Sequence, residues 1–195
     1  MDSDNSLSFI DSYLEQSEAV KRSLKTQRTQ ILDIVTELYG VAKKGGRIYT
    51  FGNGGSACDA MHLAEELVAR YLRERPGIRA QHLIDSGTMT CWANDYSFDT
   101  IFQRQVETLA TKDDAVVGFT TSGNSKNVIA AMEAANKLGA VTIALTGKTG
   151  GKAKSSAKHV LVVCSDKTSH IQEAHVAIVH IVCDLLEQWL FPDCR

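Results

Sequence analysis

Five short apolar runs recur along the chain: "RIYTFG" (47–52), "RAQHLI" (79–84), "AVVGFT" (115–120), "AVTIAL" (140–145) and "HVLVV" (159–163). Runs this short and continuous fit strands buried on both faces, and strands alternating with helices build a parallel sheet covered on both sides. The expected fold is α/β, a three-layer α/β/α sandwich on a five-stranded parallel sheet. Helical spacing places one helix over 126–138, closed by Gly139, one from about Ala57 to Leu72, stopping before "RERPG", and one over Ile171–Leu190. Two further helices precede the sheet, near 5–25 with Leu7, Ile10 and Leu14 on its apolar face, and 29–43 with Ile31, Ile34, Val35 and Leu38. At 195 residues and 44% hydrophobic content, one domain over 1–195 is expected, with N-terminal helices over 1–45 and the sandwich over 46–195.

The 21 Lys+Arg against 23 Asp+Glu leave a net charge of -2, with no field to draw the chain onto nucleic acid or an anionic membrane. A small soluble ligand is the expected partner. The opening "MDSDNSLSFIDSYLEQ" is acidic where a secretory leader is basic and then apolar, and no stretch approaches a membrane span, so the cytoplasm is the expected location. Cys58, Cys91, Cys164, Cys183 and Cys194 are odd in number and form no CxxC pair, which points to reduced, mostly buried thiols.

Ligands of open parallel sheets lie beyond the carboxyl ends of the strands, so the strand-to-helix loops carry most information. In "TTSGNS" (120–125), Thr120, Thr121, Ser122 and Ser125 offer hydroxyls, Gly123 allows close backbone approach, and the next helix begins with free N–H groups. That composition makes a phosphate cradle without a lysine, although an ordinary serine-capped helix looks similar. In the first loop, "GNGGS" (52–56), Gly52 to Ala57 also fits the dinucleotide pattern G-x-G-x-x-A, with Asp85 as the ribose-binding acid. Against that, Asp85 lies 33 residues after Gly52, where about 20 is usual.

A dinucleotide would also leave His62 and Glu66 unexplained. Four residues apart on a helix, they share a face, offset by about 40° and separated by roughly 6 Å along the axis. One divalent metal could take both, and Cys58, one turn earlier, could compete. The closing helix supplies further donors in "HIQEAHVAIVH" (170–180): Gln172, Glu173, His175 and His180 in an otherwise apolar stretch. Gln172 and His180 stand about 12 Å apart along a helix axis, a distance that leaves room for a neighbouring subunit's contribution.

Taken together, "GNGGSACDAMHLAEEL", "RERPG", "ANDYSF", "IFQRQVE", "TTSGNSKNVIAA", "LTGKTGGK", "IQEAH" and "VHIVC" resemble the SIS (sugar isomerase) phosphosugar-binding domains, and among them the phosphoheptose isomerases. The likeness spans nearly the whole chain. It implies a flavodoxin-like sandwich, a homotetramer with the N-terminal helices used in oligomerisation, active sites at subunit interfaces, and one Zn2+ per subunit. Carried onto this sequence, it implies zinc at His62, Glu66, Gln172 and His180, and phosphate at Thr120, Thr121, Ser122 and Ser125. It also implies sugar contacts from Asn53, Gly54, Gly55, Ser56, Asn94 and Asp95, with Glu66 and His180 as the acid–base pair. The implied activity converts sedoheptulose 7-phosphate to D-glycero-D-manno-heptose 7-phosphate.

Two positions depart from the pattern: the phosphate loop opens on Thr120 rather than Ser, and His170 stands where relatives carry Arg or Lys, so a cationic contact there would depend on pH. The SIS fold also serves a non-catalytic tetramer that binds the bacterial replication initiator, and the ending "LFPDCR" is similar to its C-terminus. Glu66 and His180, which those binding proteins lack, favour the enzyme.

Overall fold

The computed structural model describes residues 3–194. Its elements run α1 (Ser3–Ser23), α2 (Arg28–Lys43), β1 (Ile48–Gly52), α3 (Gly55–Val68), β2 (Ala80–His82), α4 (Ser86–Asp95), α5 (Ile101–Leu109), β3 (Ala115–Thr120), α6 (Lys126–Leu138), β4 (Val141–Gly147), α7 (Ala153–Ser156), β5 (His159–Val163) and α8 (Thr168–Leu190). The five strands form one sheet in the order β2-β1-β3-β4-β5. All pairings are parallel, with Ile48 opposite both Ala80 and Ala115, and Ala115 opposite Val141. The α/β sandwich expected from the apolar runs is the fold observed.

Every residue of β1 and β3 is buried, which is why these strands are continuously apolar rather than alternating. One face of the sheet packs on α2, α3 and α8 through Ile34, Leu38, Leu63, Leu67, Ile171 and Ile178. The other packs on α5 and α6 through Phe102, Val106, Val128 and Met132. α6 ends on Gly139 at φ 81°, a left-handed cap whose N–H donates back to Asn136 O while Ala140 N donates to Ala135 O.

Two expectations need correction. α3 stops at Val68, four residues before Leu72, because the backbone N–H groups of Tyr71, Leu72 and Arg73 donate to the Glu187 carboxylate at 2.9–3.0 Å instead of continuing the helix. The carbonyls left at its end are taken by Arg75, which donates to Glu66 O and Leu67 O at 2.7 Å. The helix expected from the spacing of Leu7, Ile10 and Leu14 is present as α1, and these three residues are 50–60% exposed, an apolar stripe without cover among the described residues. All five cysteines are free, as expected, but only Cys183 is buried, while Cys58, Cys91 and Cys164 are exposed.

Candidate active site

Between β1 and β3 the connections diverge: β1 leads to β2 on one side, and β3 leads to β4 on the other. Ligands of doubly wound sheets settle in the crevice at such a point. The loop after β1 and the loop after β3 border it, and their side chains tie them together: Asn53 and Asn127 exchange reciprocal amide bonds of 2.8 and 2.9 Å. Gly54 opens α3 at φ 55°, a conformation that a side chain would strain.

The second loop is held from outside. A Cβ on Gly123, at φ 67°, would collide with the Gly150 carbonyl, and Ala153 N donates to Gly123 O at 2.9 Å. Lys152 N likewise donates to Asn124 Oδ1 at 3.1 Å. The hydroxyls of Thr120 and Ser125 meet at 3.0 Å, with Thr121 and Ser122 half-buried beside them. Ser125 occupies the N-cap of α6 without bonding a helical N–H through its side chain; Val128 N donates to Asn127 Oδ1 at 2.9 Å instead, so the N–H groups of Lys126 and Asn127 ahead of it are the ones available to an anion.

Farther along α3, His62 Nε2 lies 3.1 Å from Glu66 Oε1. α8 returns beside this helix and places the His180 ring edge-on to His62, 5.1 Å between centroids. One donor atom from each of His62, Glu66 and His180 falls within 4.8 Å of the others, and all three residues are half-buried. Among the described residues this is the one such metal-capable group, and Cys58 is not part of it. Two imidazoles and a carboxylate match the donor set of a catalytic zinc with a coordination position left open.

Residues that sequence reasoning missed brace this trio. Tyr71 stacks on His180 at 5.5 Å and 18°, and its backbone N–H is fixed by Glu187. Burial works to raise the Glu187 carboxyl, but three backbone donors and Arg75 outweigh it and hold the group below the ordinary carboxylate range. The available signal was a lone acid inside "LLEQWL", an apolar stretch that demands a partner for it.

Other expected site residues are distributed more widely. The Gln172 amide packs over Gly55, where a Cβ would collide with it; seven residues of α3, about 10 Å, separate Gly55 from His62. Asn94 and Asp95 lie at the exposed end of α4, joined to each other at 2.8 Å. His170 is 2% exposed beneath α1, 4.5 Å from the Tyr13 ring and 3.7 Å from Glu173, so it does not extend toward the phosphate loop as a surface cation would. Asp85 caps α4 by accepting from Thr88 N at 2.7 Å, which removes the acid that the dinucleotide pattern needs. A cavity of about 1040 Å3 lies along another face of α3, lined by Met61, Glu65, Val68, Trp92 and Arg104, away from the trio.

The SIS-domain family model matches residues 12–147. Phosphoheptose isomerase of Solidesulfovibrio magneticus is 44% identical over 191 residues, covering 97% of this chain and 93% of that protein. The chain belongs to the SIS-domain phosphoheptose isomerases. Solved structures of this family superpose closely. A phosphoheptose isomerase from Francisella tularensis gives a TM-score of 0.90 at 36% identity, covering 94% of this chain and 98% of that one. The Neisseria gonorrhoeae phosphoheptose isomerase gives 0.88 at 33%, covering 93% and 98%. As a member of these isomerases the chain is an enzyme, and Glu66 and His180 meet in one cluster, so the initiator-binding alternative is not favoured.

Proposed function

We propose that this isomerase converts sedoheptulose 7-phosphate to D-glycero-D-manno-heptose 7-phosphate with one zinc ion per subunit. The observation that carries the reading is the convergence of His62, Glu66 and His180 within 4.8 Å on helices that start from, or run beside, an anion-binding crevice. The distance along α3 from the first loop to His62 suits a substrate with a phosphate at one end and a reacting carbonyl at the other. A free phosphate would leave half of this arrangement unused.

In the proposed mechanism, the hydroxyls of Thr120, Thr121, Ser122 and Ser125 and the first N–H groups of α6 anchor the phosphate. Asn53, Gly54, Gly55, Ser56, Asn94, Asp95 and Gln172 contact the sugar. Anchoring one end of the ketose holds carbons one and two against the acid–base pair, where proximity replaces chance encounter. Glu66 removes the proton from carbon one, giving an enediol, and returns it to carbon two, while His180 carries a proton from the carbon-one oxygen to the carbon-two oxygen. His62, Glu66 and His180 would hold the zinc. The expected fourth donor, Gln172, stays in the proposal, and the metal content of a Gln172 variant decides its place. When bound, the ion supplies a Lewis acid for the negative charge that develops on oxygen.

The isomerase works as a cytoplasmic homotetramer, assembled through the helices of residues 1–45 around the sandwich of 46–195, at the first step of bacterial heptose nucleotide synthesis. The exposed Leu7, Phe9, Ile10 and Leu14 on α1 support the assembly, since apolar stripes of this kind seek cover. Among the described residues no helix is long and apolar enough to cross a membrane. The deciding experiment measures isomerase activity on sedoheptulose 7-phosphate, with metal content determined on the same sample before and after chelation. Activity that falls with zinc and returns with it is expected. A zinc-replete tetramer without turnover would redirect the substrate to another sugar phosphate, and absence of both zinc and turnover would favour the initiator-binding reading.

A further inference from the structure

One helical turn from the metal-capable trio, α3 and α8 meet at a second pair, Asp59 and His175. Asp59 precedes His62 by three residues and Glu66 by seven, on the same face of α3; His175 precedes His180 by five on α8. His175 is fully buried and Asp59 is 6% exposed. The His175 ring is walled by Phe119, edge-on at 5.8 Å, and its Nε2 lies 3.2 Å from the backbone oxygen of Thr146 on β4.

That last contact settles the tautomer. A carbonyl oxygen only accepts, so the hydrogen of the neutral imidazole sits on Nε2, and Nδ1 is left as a bare acceptor. Facing Nδ1 at 3.9 Å is Asp59 Oδ2, and both atoms are buried without a hydrogen-bond partner among the described residues. Two bare acceptors cannot satisfy each other, and buried polar atoms in folded proteins are satisfied. A proton between them resolves the conflict.

We propose that Asp59 and His175 share one proton in a hydrogen bond that closes α3 onto α8, making them positioning residues that hold His62 and Glu66 at the distance from His180 that the reaction needs. Burial pushes the Asp59 carboxyl up to about 6 and the His175 imidazole down to about 4, so the carboxyl is the tighter proton binder of the two. Donation from the neutral carboxyl to Nδ1 raises it further. Through Thr146 O the pair is also anchored to β4, so the sheet, α3 and α8 share one reference point for the site. The part of this inference that concerns zinc rests on the metal reading above; the part that concerns Glu66 and His180 does not.

Asp59→Asn and Asp59→Leu separate a hydrogen bond from mere packing. The Asn amide can donate to Nδ1, whereas Leu fills the space without a donor. Partners behind metal ligands typically change metal affinity or activity about 10–100-fold. Asp59→Leu is expected to lose that much kcat and zinc affinity while KM for the sugar phosphate moves less than about threefold, and Asp59→Asn is expected to recover both. In the metal-free wild-type protein, imidazole NMR is expected to show His175 protonated at Nε2 and a downfield proton resonance that disappears in Asp59→Leu. Equal behaviour of the Leu and Asn variants, or no such resonance, would overturn the proposal. Should the wild-type protein take up no zinc, the metal reading alone fails, while kcat and the resonance still decide the pair. Should Asp59→Leu not fold, the resonance and the Asn variant decide it.

Discussion

Arg75 Nε lies 2.9 Å from Glu187 Oε1, and neither side chain has any exposed surface. The pair closes a circuit. Glu187 fixes the backbone of Tyr71, whose ring supports His180, and Arg75 holds the carbonyl of Glu66 itself. A structural ion pair in the core thus reaches Glu66 directly, at its backbone carbonyl, and His180 through Tyr71.

Removing one partner of this pair leaves the other charged and buried without its counter-charge, which typically costs about 3–5 kcal/mol. Arg75→Met and Glu187→Gln should each lower the unfolding free energy by an amount in that range, measured by urea denaturation. Because Glu187 is held below its ordinary range in the folded state, its contribution is complete above the unfolded value, about 4.3, and is lost as pH falls through the folded value. Wild-type stability should therefore decline on acidification below about pH 4.3, and the decline should be shallower in Glu187→Gln.

Glu66→Gln removes the proposed base while keeping shape and bulk. Turnover should fall by about 10²–10⁴, with melting temperature and oligomeric state close to wild type. Retention of most activity would show that another group takes the proton from carbon one.

His62→Ala and His180→Ala should each lower zinc content after dialysis as well as turnover, because the two imidazoles and the Glu66 carboxylate are the donors that meet in the cluster. Gln172→Ala is the informative companion. Loss of zinc would confirm it in the ligand set, whereas retained zinc with a raised KM would place it with the sugar contacts, as its position over Gly55 favours.

What the sequence revealed and what it concealed divide along physical lines. β3 and β5 were legible to the residue because each is a continuous apolar run, β3 buried throughout and β5 in part, at the edge of the sheet. The two loops were legible as strand-to-helix turns because glycine takes the positive φ found at Gly54 and Gly123. His62 and Glu66 were visible through helical spacing, but their union with His180 depends on α8 returning beside α3, which local pattern does not encode. The end of α3 was misplaced for a similar reason: the competitor for its N–H groups, Glu187, lies more than 110 residues away in sequence. On α1, spacing identified a helix and an apolar face but carried no information about whether the cover comes from the same chain.

Ser122→Ala and Ser125→Ala test the cradle through the substrate rather than through stability. A hydrogen bond to a charged group contributes about 1.5–3 kcal/mol, so each change should raise KM for sedoheptulose 7-phosphate by roughly 10–100-fold, at most, with a smaller effect on kcat. Ser125 carries the sharper test, since its hydroxyl already meets that of Thr120 at 3.0 Å and does not cap α6. The control is the unphosphorylated ketose, which has no anion to anchor and should lose nothing beyond its already poor binding. If both substrates lose equally, the serines act by shaping the loop, and the anion must be held by the Thr120 and Thr121 hydroxyls and the backbone N–H groups of α6.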